Sequence, residues 1–310
     1  MIRQYHSNGK LLLTGEYLVL KGAEALALPL KKGQTLRVKP LEDQNRLIWR
    51  SIYEGQIFFQ AVFSIDDFRI LQTNNQERAG FLQKLLQRAL SYIPSFIRKT
   101  GYFIETFLSF PLEWGLGSSS TLISNLAQWL DINPFELNQD ITRGSGYDIA
   151  CARSNGPILY QYSNIAPQYR EIDLSLPFQD YIYFVYTGKK QRSAKEVQRF
   201  LTQPESHEHL FSQVDEINEQ IINSSQLTDF EQALRDHEAI LSRVLDAPTI
   251  QQKYFKDFPG TIKSLGAWGG DFILVTWTET RSQLKDYFNA HDMDVIFSWN
   301  ELIKDKKHAG

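Results

Sequence analysis

Two glycines and a run of hydroxyls, Gly115-Leu116-Gly117-Ser118-Ser119-Ser120-Thr121, stand directly before a segment in which Leu122, Ile123, Leu126, Ala127 and Leu130 share one helical face. This reads as a glycine turn opening a helix. Glycine permits positive φ and close approach of backbone to a ligand, while the first-turn N–H groups of a helix lack partners and the dipole is positive there. Anions bind such places, phosphate foremost. The serine hydroxyls can cap the helix, meet a phosphate oxygen or complete a magnesium shell. The same residues also suit an ordinary capped helix after a turn. Two better-known phosphate loops are excluded by the text itself. A Walker loop needs lysine directly before the Ser/Thr, and the dinucleotide fingerprint needs a third glycine after a strand.

Other residues could bring charge to such chemistry. Lys10 and Glu16 interrupt an apolar stretch from Asn8 to Leu20, where a buried unpaired ion is expensive. Both also fit as solvent-facing alternates on edge strands. Asp148 lies in Gly144-Ser145-Gly146-Tyr147-Asp148-Ile149-Ala150, among small residues that desolvate a carboxylate, and suits either an active role or the capping of a turn. Lys189, Lys190, Arg192 and Lys195 follow an apolar strand and form either a solvated loop or one that faces an anion. A second glycine turn, Gly266-Ala267-Trp268-Gly269-Gly270-Asp271, precedes a strand near the C-terminus.

The elements that position these residues are legible in outline. Short strands are expected over 10–14 and 17–20, broken at Gly15-Glu16, then over 25–30, 36–38, 47–49 and 57–59. A helix over 80–93 precedes a strand over 101–110 that leads into the first glycine turn. Asn133 as N-cap and Pro134 at the first position start a helix with Glu136 and Asp140 on one face. The second half opens with a strand over 181–186. Helices over 208–223 and 229–245 follow, whose His207, His209 and His237 read as surface residues. A strand over 272–277, a helix over 283–290 and a strand over 294–299 end the chain.

Composition bounds the rest. A chain of 310 residues, 42% hydrophobic and 22% charged, is large enough for two cores. The net charge of −3 gives no global attraction to nucleic acid or to an anionic membrane. No apolar run approaches the roughly 20 residues of a bilayer span, and Met1 to Lys10 lacks a signal-peptide core, so a cytoplasmic location is expected. The one cysteine, Cys151, excludes an internal disulfide and a cysteine-based metal cluster. A metal would be a hard ion held by oxygens and phosphates.

The first turn matches Pro-x-x-x-Gly-Leu-Gly-Ser-Ser, the second motif of the GHMP kinases, with Pro111, Gly115, Leu116, Gly117, Ser118 and Ser119 in place. Gly9-Lys10 through Gly15-Glu16 reads like the family's first motif. Ser145-Gly146-Tyr147-Asp148 is similar to its Ser-Gly-x-Asp segment. The later glycine turn falls where the third motif stands, with Trp268 at a position usually glycine. The chain therefore resembles the GHMP kinases, and among them small bacterial members carrying Gly-Tyr-Asp-Ile-Ala, here 146–150.

That resemblance implies a two-domain α+β fold. Residues 1–175 would form a domain like ribosomal protein S5 domain 2, and 176–310 a ferredoxin-like α+β domain, with ATP and a small-molecule acceptor in the cleft. It implies ATP phosphates over Gly115, Leu116, Gly117, Ser118, Ser119 and Ser120, and Mg2+ on Ser119 with Glu136 or Asp140. Asp148 would face the acceptor hydroxyl, and Lys10 would hold it ionised and neutralise charge on the transferring group. Glu16, Ser145, Gly146, Lys189, Arg192, Gly269 and Gly270 would lie on the acceptor side. Gly269-Gly270-Asp271 and Asp148-Ile149-Ala150 resemble the phosphomevalonate kinases. Mevalonate kinases are the next reading, with homoserine and sugar kinases further off. A binding protein of the same fold and a mevalonate diphosphate decarboxylase are the rival classes. The resemblance implies no nucleic-acid or membrane partner, and a homodimer is a possible assembly.

Overall fold

A computed structural model describes the chain except at residues 43–44, 94–99, 143, 164–165, 189–196, 199, 203–206, 267, 269 and 306–310. Strands β1 (Arg3–Leu12), β2 (Glu24–Leu41), β3 (Arg46–Tyr53), β4 (Gln56–Ser64) and β5 (Ile70–Thr73) precede helix α1 (Gln76–Tyr92) and strand β6 (Gly101–Leu108). Helices α2 (Ser118–Leu130), α3 (Pro134–Thr142) and α4 (Tyr147–Arg153) lead to β7 (Ile158–Gln161), β8 (Gln168–Glu171) and β9 (Ile182–Tyr186). There follow α5 (Phe211–Ile222), α6 (Leu227–Leu245), α7 (Ile250–Tyr254), β10 (Ile262–Leu265), β11 (Phe272–Thr276), α8 (Arg281–Asn289), β12 (Ile296–Ser298) and α9 (Trp299–Leu302). The class is α+β.

The chain divides into two compact units, each assembled from separate segments. The first comprises Met1–Gly9, Lys32–Leu112 and Leu116–Arg153. Its strands run in the order β5-β4-β3-β6-β2. β6 lies parallel to β3 and antiparallel to the later part of β2, with Gln34 opposite Leu108. Along β6, Tyr102, Ile104, Thr106 and Leu108 are buried and the intervening Phe103, Glu105 and Phe107 less so, the period of a half-buried strand. Asn75 caps α1 by accepting the Arg78 N–H, and Ala79, Leu82, Leu85, Leu86 and Ala89 form its buried stripe. These meet Trp49, Phe63, Leu126 and Ile149 in one core.

Helix α2 is buried on more than its apolar face. Ser124 and Asn125 are fully buried and are satisfied by the Ser7 hydroxyl, which donates its one proton to Asn125 Oδ1 and accepts from the Ser124 hydroxyl, at 2.9 Å each. The Asn125 amide also donates to the Gln34 carbonyl at 2.9 Å. Each such pairing avoids a desolvation cost of about 1–3 kcal/mol, so the helix is fixed both in position and in rotation.

The second unit comprises Lys10–Lys31, Glu113–Gly115 and Ser154–Gly310. In it the earlier part of β2 pairs with β7, Glu24 opposite Gln161, and β7 pairs with β8. A separate antiparallel sheet has the order β10-β11-β9-β12. Its central strand β11, Phe-Ile-Leu-Val-Thr, is buried at every position, which explains an uninterrupted apolar run without alternation. Helix α6 turns Phe230, Ala233, Leu234, His237, Glu238, Ile240 and Leu241 inward, a helical stripe carrying two ionisable residues at core positions.

Three local expectations are corrected. Residues 25–30 and 36–38 belong to one 18-residue strand, β2. The second apolar run of the first motif is no strand: Leu18–Lys21 forms a single 3-10 turn, set up by Tyr17 at φ 64° and burying Leu18 and Val19. Short apolar runs do not distinguish turn, helix and strand by period alone. His207 and His237 are buried, at 5% and 0% exposure, where a surface position was expected.

Candidate active site

The glycine turn has the geometry its composition calls for. A 3-10 turn, Leu112–Trp114, leads into Gly115 at φ 66° and, after the buried Leu116, into Gly117 at φ 92°. Gly117 is the N-cap of α2 and supplies no side-chain cap. The Ser120 hydroxyl turns back to the Gly117 carbonyl at 2.9 Å, and Thr121 Oγ1 donates to Gln34 Oε1 at 3.0 Å. The helix thus starts without a side chain over its first amides, while Ser119 is exposed beside them. Open amides at the positive end of a 13-residue helix suit a phosphate group.

Gly115 is glycine for a second reason. A Cβ there would stand 1.8 Å from Asp271 Oδ2, well inside contact distance. Its carbonyl accepts a hydrogen bond from Lys10 Nζ at 3.0 Å, so the lysine of the first motif lies on the backbone of the second. The later glycine turn meets the same place. Thr187, at the end of β9, donates its hydroxyl to the Gly270 carbonyl at 3.0 Å and its N–H to the Asp271 carbonyl at 3.0 Å. The Trp268 N–H donates to the Tyr17 hydroxyl at 2.7 Å. Three glycine-containing segments of the second unit are therefore tied together through Lys10 and Tyr17, Gly115, and Trp268, Gly270 and Asp271.

Asp148 stands in the first turn of α4, where its Oδ1 accepts the Ile149 N–H at 3.0 Å. The Gly146 carbonyl accepts the Ile149 and Ala150 N–H groups at 3.0 and 3.2 Å, so Ser145-Gly146 forms the bend that starts this helix. Asn8 holds the other end, donating to the Cys151 carbonyl at 3.3 Å. Ile149, Ala150, Cys151 and Ala152 are buried, which leaves the part-exposed Asp148 as the carboxylate presented by a rigid helix start.

The two carboxylates proposed for a metal already serve α3. Glu136 accepts from Asn133 Nδ2 at 3.0 Å, while Asn133 Oδ1 caps the helix through the Phe135 N–H. Asp140 accepts from Arg88 and, at 2.7 Å, from the Tyr92 hydroxyl. The Arg88 hydrogen bond holds Asp140 below the ordinary carboxylate range. Among the described residues no three His, Cys, Asp or Glu side chains are gathered as a metal site. Donors for Mg2+ would have to be few, with phosphate oxygens completing the shell, and the exposed Ser119 hydroxyl fits that need.

Glu16 does not face solvent. It is 2% exposed, and Lys263 Nζ, itself fully buried on β10, donates to its Oε1 at 2.7 Å. Its Oε2 lies 3.5 Å from His237 Nε2, which accepts the Gly15 N–H at 2.8 Å. Glu238 Oε1 lies 3.7 Å from the same lysine. Burial pushes Glu16 above its ordinary value against the pull of Lys263, and pushes Glu238 up to about 7. Burial and then the Lys263 charge hold His237 well below the ordinary imidazole value. Glu16 stands out in the sequence, and its three partners carry a weaker signal. His237 and Glu238 fall at core positions of the stripe running from Phe230 to Leu241, and Lys263 lies inside a four-residue strand. Lys189, Arg192 and Gly269 lie outside the described residues.

No family model matches the chain. A mevalonate kinase of Methanocaldococcus jannaschii is 19% identical over 308 residues, covering 93% of this chain and 96% of that relative. The crystal structure of a Methanococcus jannaschii mevalonate kinase superposes with a TM-score of 0.69 at 17% identity, over 99% of this chain and 98% of the other. Streptococcus pneumoniae phosphomevalonate kinase in complex with phosphomevalonate and AMPPNP gives 0.70 at 16% identity, over 96% and 99%. The chain shares the α+β fold of these kinases.

Proposed function

We propose that this chain transfers the γ-phosphoryl group of ATP to a small-molecule hydroxyl or phosphate acceptor, with phosphomevalonate as the preferred acceptor. The observation that carries the reading is the Lys10 ammonium on the Gly115 carbonyl, at the turn that opens α2 without a side-chain cap. A fixed cation and a row of open amides at one turn suit the charge of a triphosphate. The phosphates dock over Gly115, Leu116, Gly117, Ser118 and Ser119, with Ser120 shaping the turn through its bond to Gly117. Ser119 and, of the two α3 carboxylates, the one not tied to an arginine, Glu136, are the proposed donors to Mg2+. The ion supplies charge neutralisation on the phosphates when bound.

Asp148 accepts the proton of the acceptor, or orients it, and Lys10 neutralises charge on the group in transfer. Little covalent chemistry is asked of the protein, and positioning and electrostatics supply most of the rate. Ser145, Gly146, Gly270 and the basic run containing Lys189 and Arg192 are the proposed acceptor contacts. That run suits an acceptor that already bears phosphate and carboxylate. Mevalonate is the second reading, favoured by the full-length similarity to a mevalonate kinase. ADP release with mevalonate, phosphomevalonate, homoserine and galactose side by side tests the assignment. Turnover is expected with phosphomevalonate, and Asp148→Asn should lower it roughly 100- to 10,000-fold with ATP binding retained. Full activity in that variant ends the reading.

A further inference from the structure

The cluster around Glu16 has a charge imbalance that its burial makes consequential. Two carboxylates, Glu16 and Glu238, share one ammonium, Lys263, and all three side chains are at most 4% exposed. His237 contributes no charge: its Nε2 accepts the Gly15 N–H, so its proton sits on Nδ1, which has no partner. Glu238 makes no hydrogen bond of good geometry, its Oε1 lying 3.7 Å from Lys263, whereas Glu16 holds the lysine on Oε1 at 2.7 Å. An ionised carboxylate without a partner in such a place is far more costly than a neutral one. The 2.7 Å and 3.7 Å distances from Lys263 to Glu16 and Glu238 are those of a lysine committed to Glu16 beside a protonated Glu238.

What the lysine holds is the loop of the first motif. Thr14 Oγ1 donates to Asn218 Oδ1 at 2.5 Å on α5, Gly15 is held by His237 on α6, and Glu16 by Lys263 on β10. Tyr17, next in line, receives the Trp268 N–H of the later glycine turn. We propose that Lys263 and Glu238 are positioning residues. One proton on Glu238 commits Lys263 to Glu16 and so fixes residues 14–17 and the glycine turn they hold, while loss of that proton splits the lysine between two carboxylates and loosens both. The charged groups facing Glu238 are Lys263 and Glu16, with neutral His237 beside them; burial outweighs the lysine and raises the proton's midpoint to about 7. The placement thus responds to pH in the neutral range.

The inference rests on the kinase reading for its activity readout, and the test separates the two. Thermal midpoints and ATP-dependent phosphorylation of the acceptor panel are measured from pH 5.5 to 8.5 for the full chain and for Glu238→Gln, which keeps the shape and stays neutral. In the native chain the midpoint falls as pH rises from 5.5 to about 7 and levels off above it, because between 4.5 and about 7 the folded state holds a proton that the unfolded state has released. kcat/KM for ATP falls on the other side of the titration, above about 7, approaching roughly 30-fold at pH 8.5, about 1.5 units above its midpoint. Glu238→Gln matches the native chain at pH 5.5 and lacks both declines. A variant with the same pH profile as the native chain overturns the proposal. Should Glu238→Gln fail to fold, Glu238→Leu, which removes the proton site altogether, is read the same way. A native chain that phosphorylates none of the acceptors defeats the kinase reading, while the two thermal profiles still decide the role of the cluster.

Discussion

The contact between Asp271 and Gly115 can be weighed by a two-step substitution. Gly115→Ala adds one methyl group at φ 66°, a left-handed conformation that costs an L-residue roughly 1–2 kcal/mol. It also places that methyl 1.8 Å from Asp271 Oδ2, whereas ordinary contact begins at 3.4 Å, so the carboxylate must retreat by about 1.6 Å. Asp271 is held through its own backbone by Thr187 at 3.0 Å, so the displacement is resisted at the level of overpacking, roughly 1–3 kcal/mol. The single substitution should therefore cost about 2–5 kcal/mol. In an Asp271→Ala background the carboxylate clash is removed and a 3.1 Å approach to the Cβ of residue 271 is left, so the cost falls toward the backbone part, about 1–2 kcal/mol. Denaturant or thermal unfolding of the four proteins of the cycle measures the coupling, and a value near zero refutes the claim that Asp271 fixes the residue at 115. The KM for ATP should follow the same order, highest in Gly115→Ala alone.

Two other outcomes are expected. Lys10→Met removes the ammonium from the Gly115 carbonyl and should lower kcat roughly 100- to 1,000-fold while costing no more than about 1.5 kcal/mol of stability, as judged by steady-state kinetics beside thermal unfolding. Glu301 is held down to about 2 by Arg281 and then by Ser298, so its contribution is present above pH 4.5 and lost as pH falls toward 2. Because the pair is well exposed, Glu301→Gln should cost less than about 1 kcal/mol at neutral pH and flatten the acid limb of the thermal midpoint between pH 4.5 and 2.

The outline of the chain could be read from residue types because several signals agreed. The strand over 101–110, the glycine turn and the stripe of α2 point to one arrangement, and the fold contains it as β6, a 3-10 turn and a 13-residue helix. Asn133 and Pro134 likewise mark the start of α3, and the cap is made by Asn133 Oδ1. What escaped was non-local. Nothing in the neighbourhood of Tyr17 announces that its positive φ turns an apolar run into a 3-10 turn, since the restraint comes from residues far along the chain. The isolated charge of Lys263 within β10 shows only that a partner is needed, without naming Glu16. Residue type alone places His237 on the surface, although its spacing from Leu234 and Leu241 puts it on the buried stripe.

The bond between Lys263 and Glu16 spans 247 positions of sequence, and that between His237 and Gly15 spans 222. During synthesis the segment after β1 therefore leaves the ribosome long before its anchors exist, and its apolar residues wait through most of translation without their final neighbours. Closing loops of this length is slow, and the delay exposes sticky surface to other chains. Expression yield and chaperone dependence should thus be more sensitive to changes in β10 and α6 than the size of those elements alone implies.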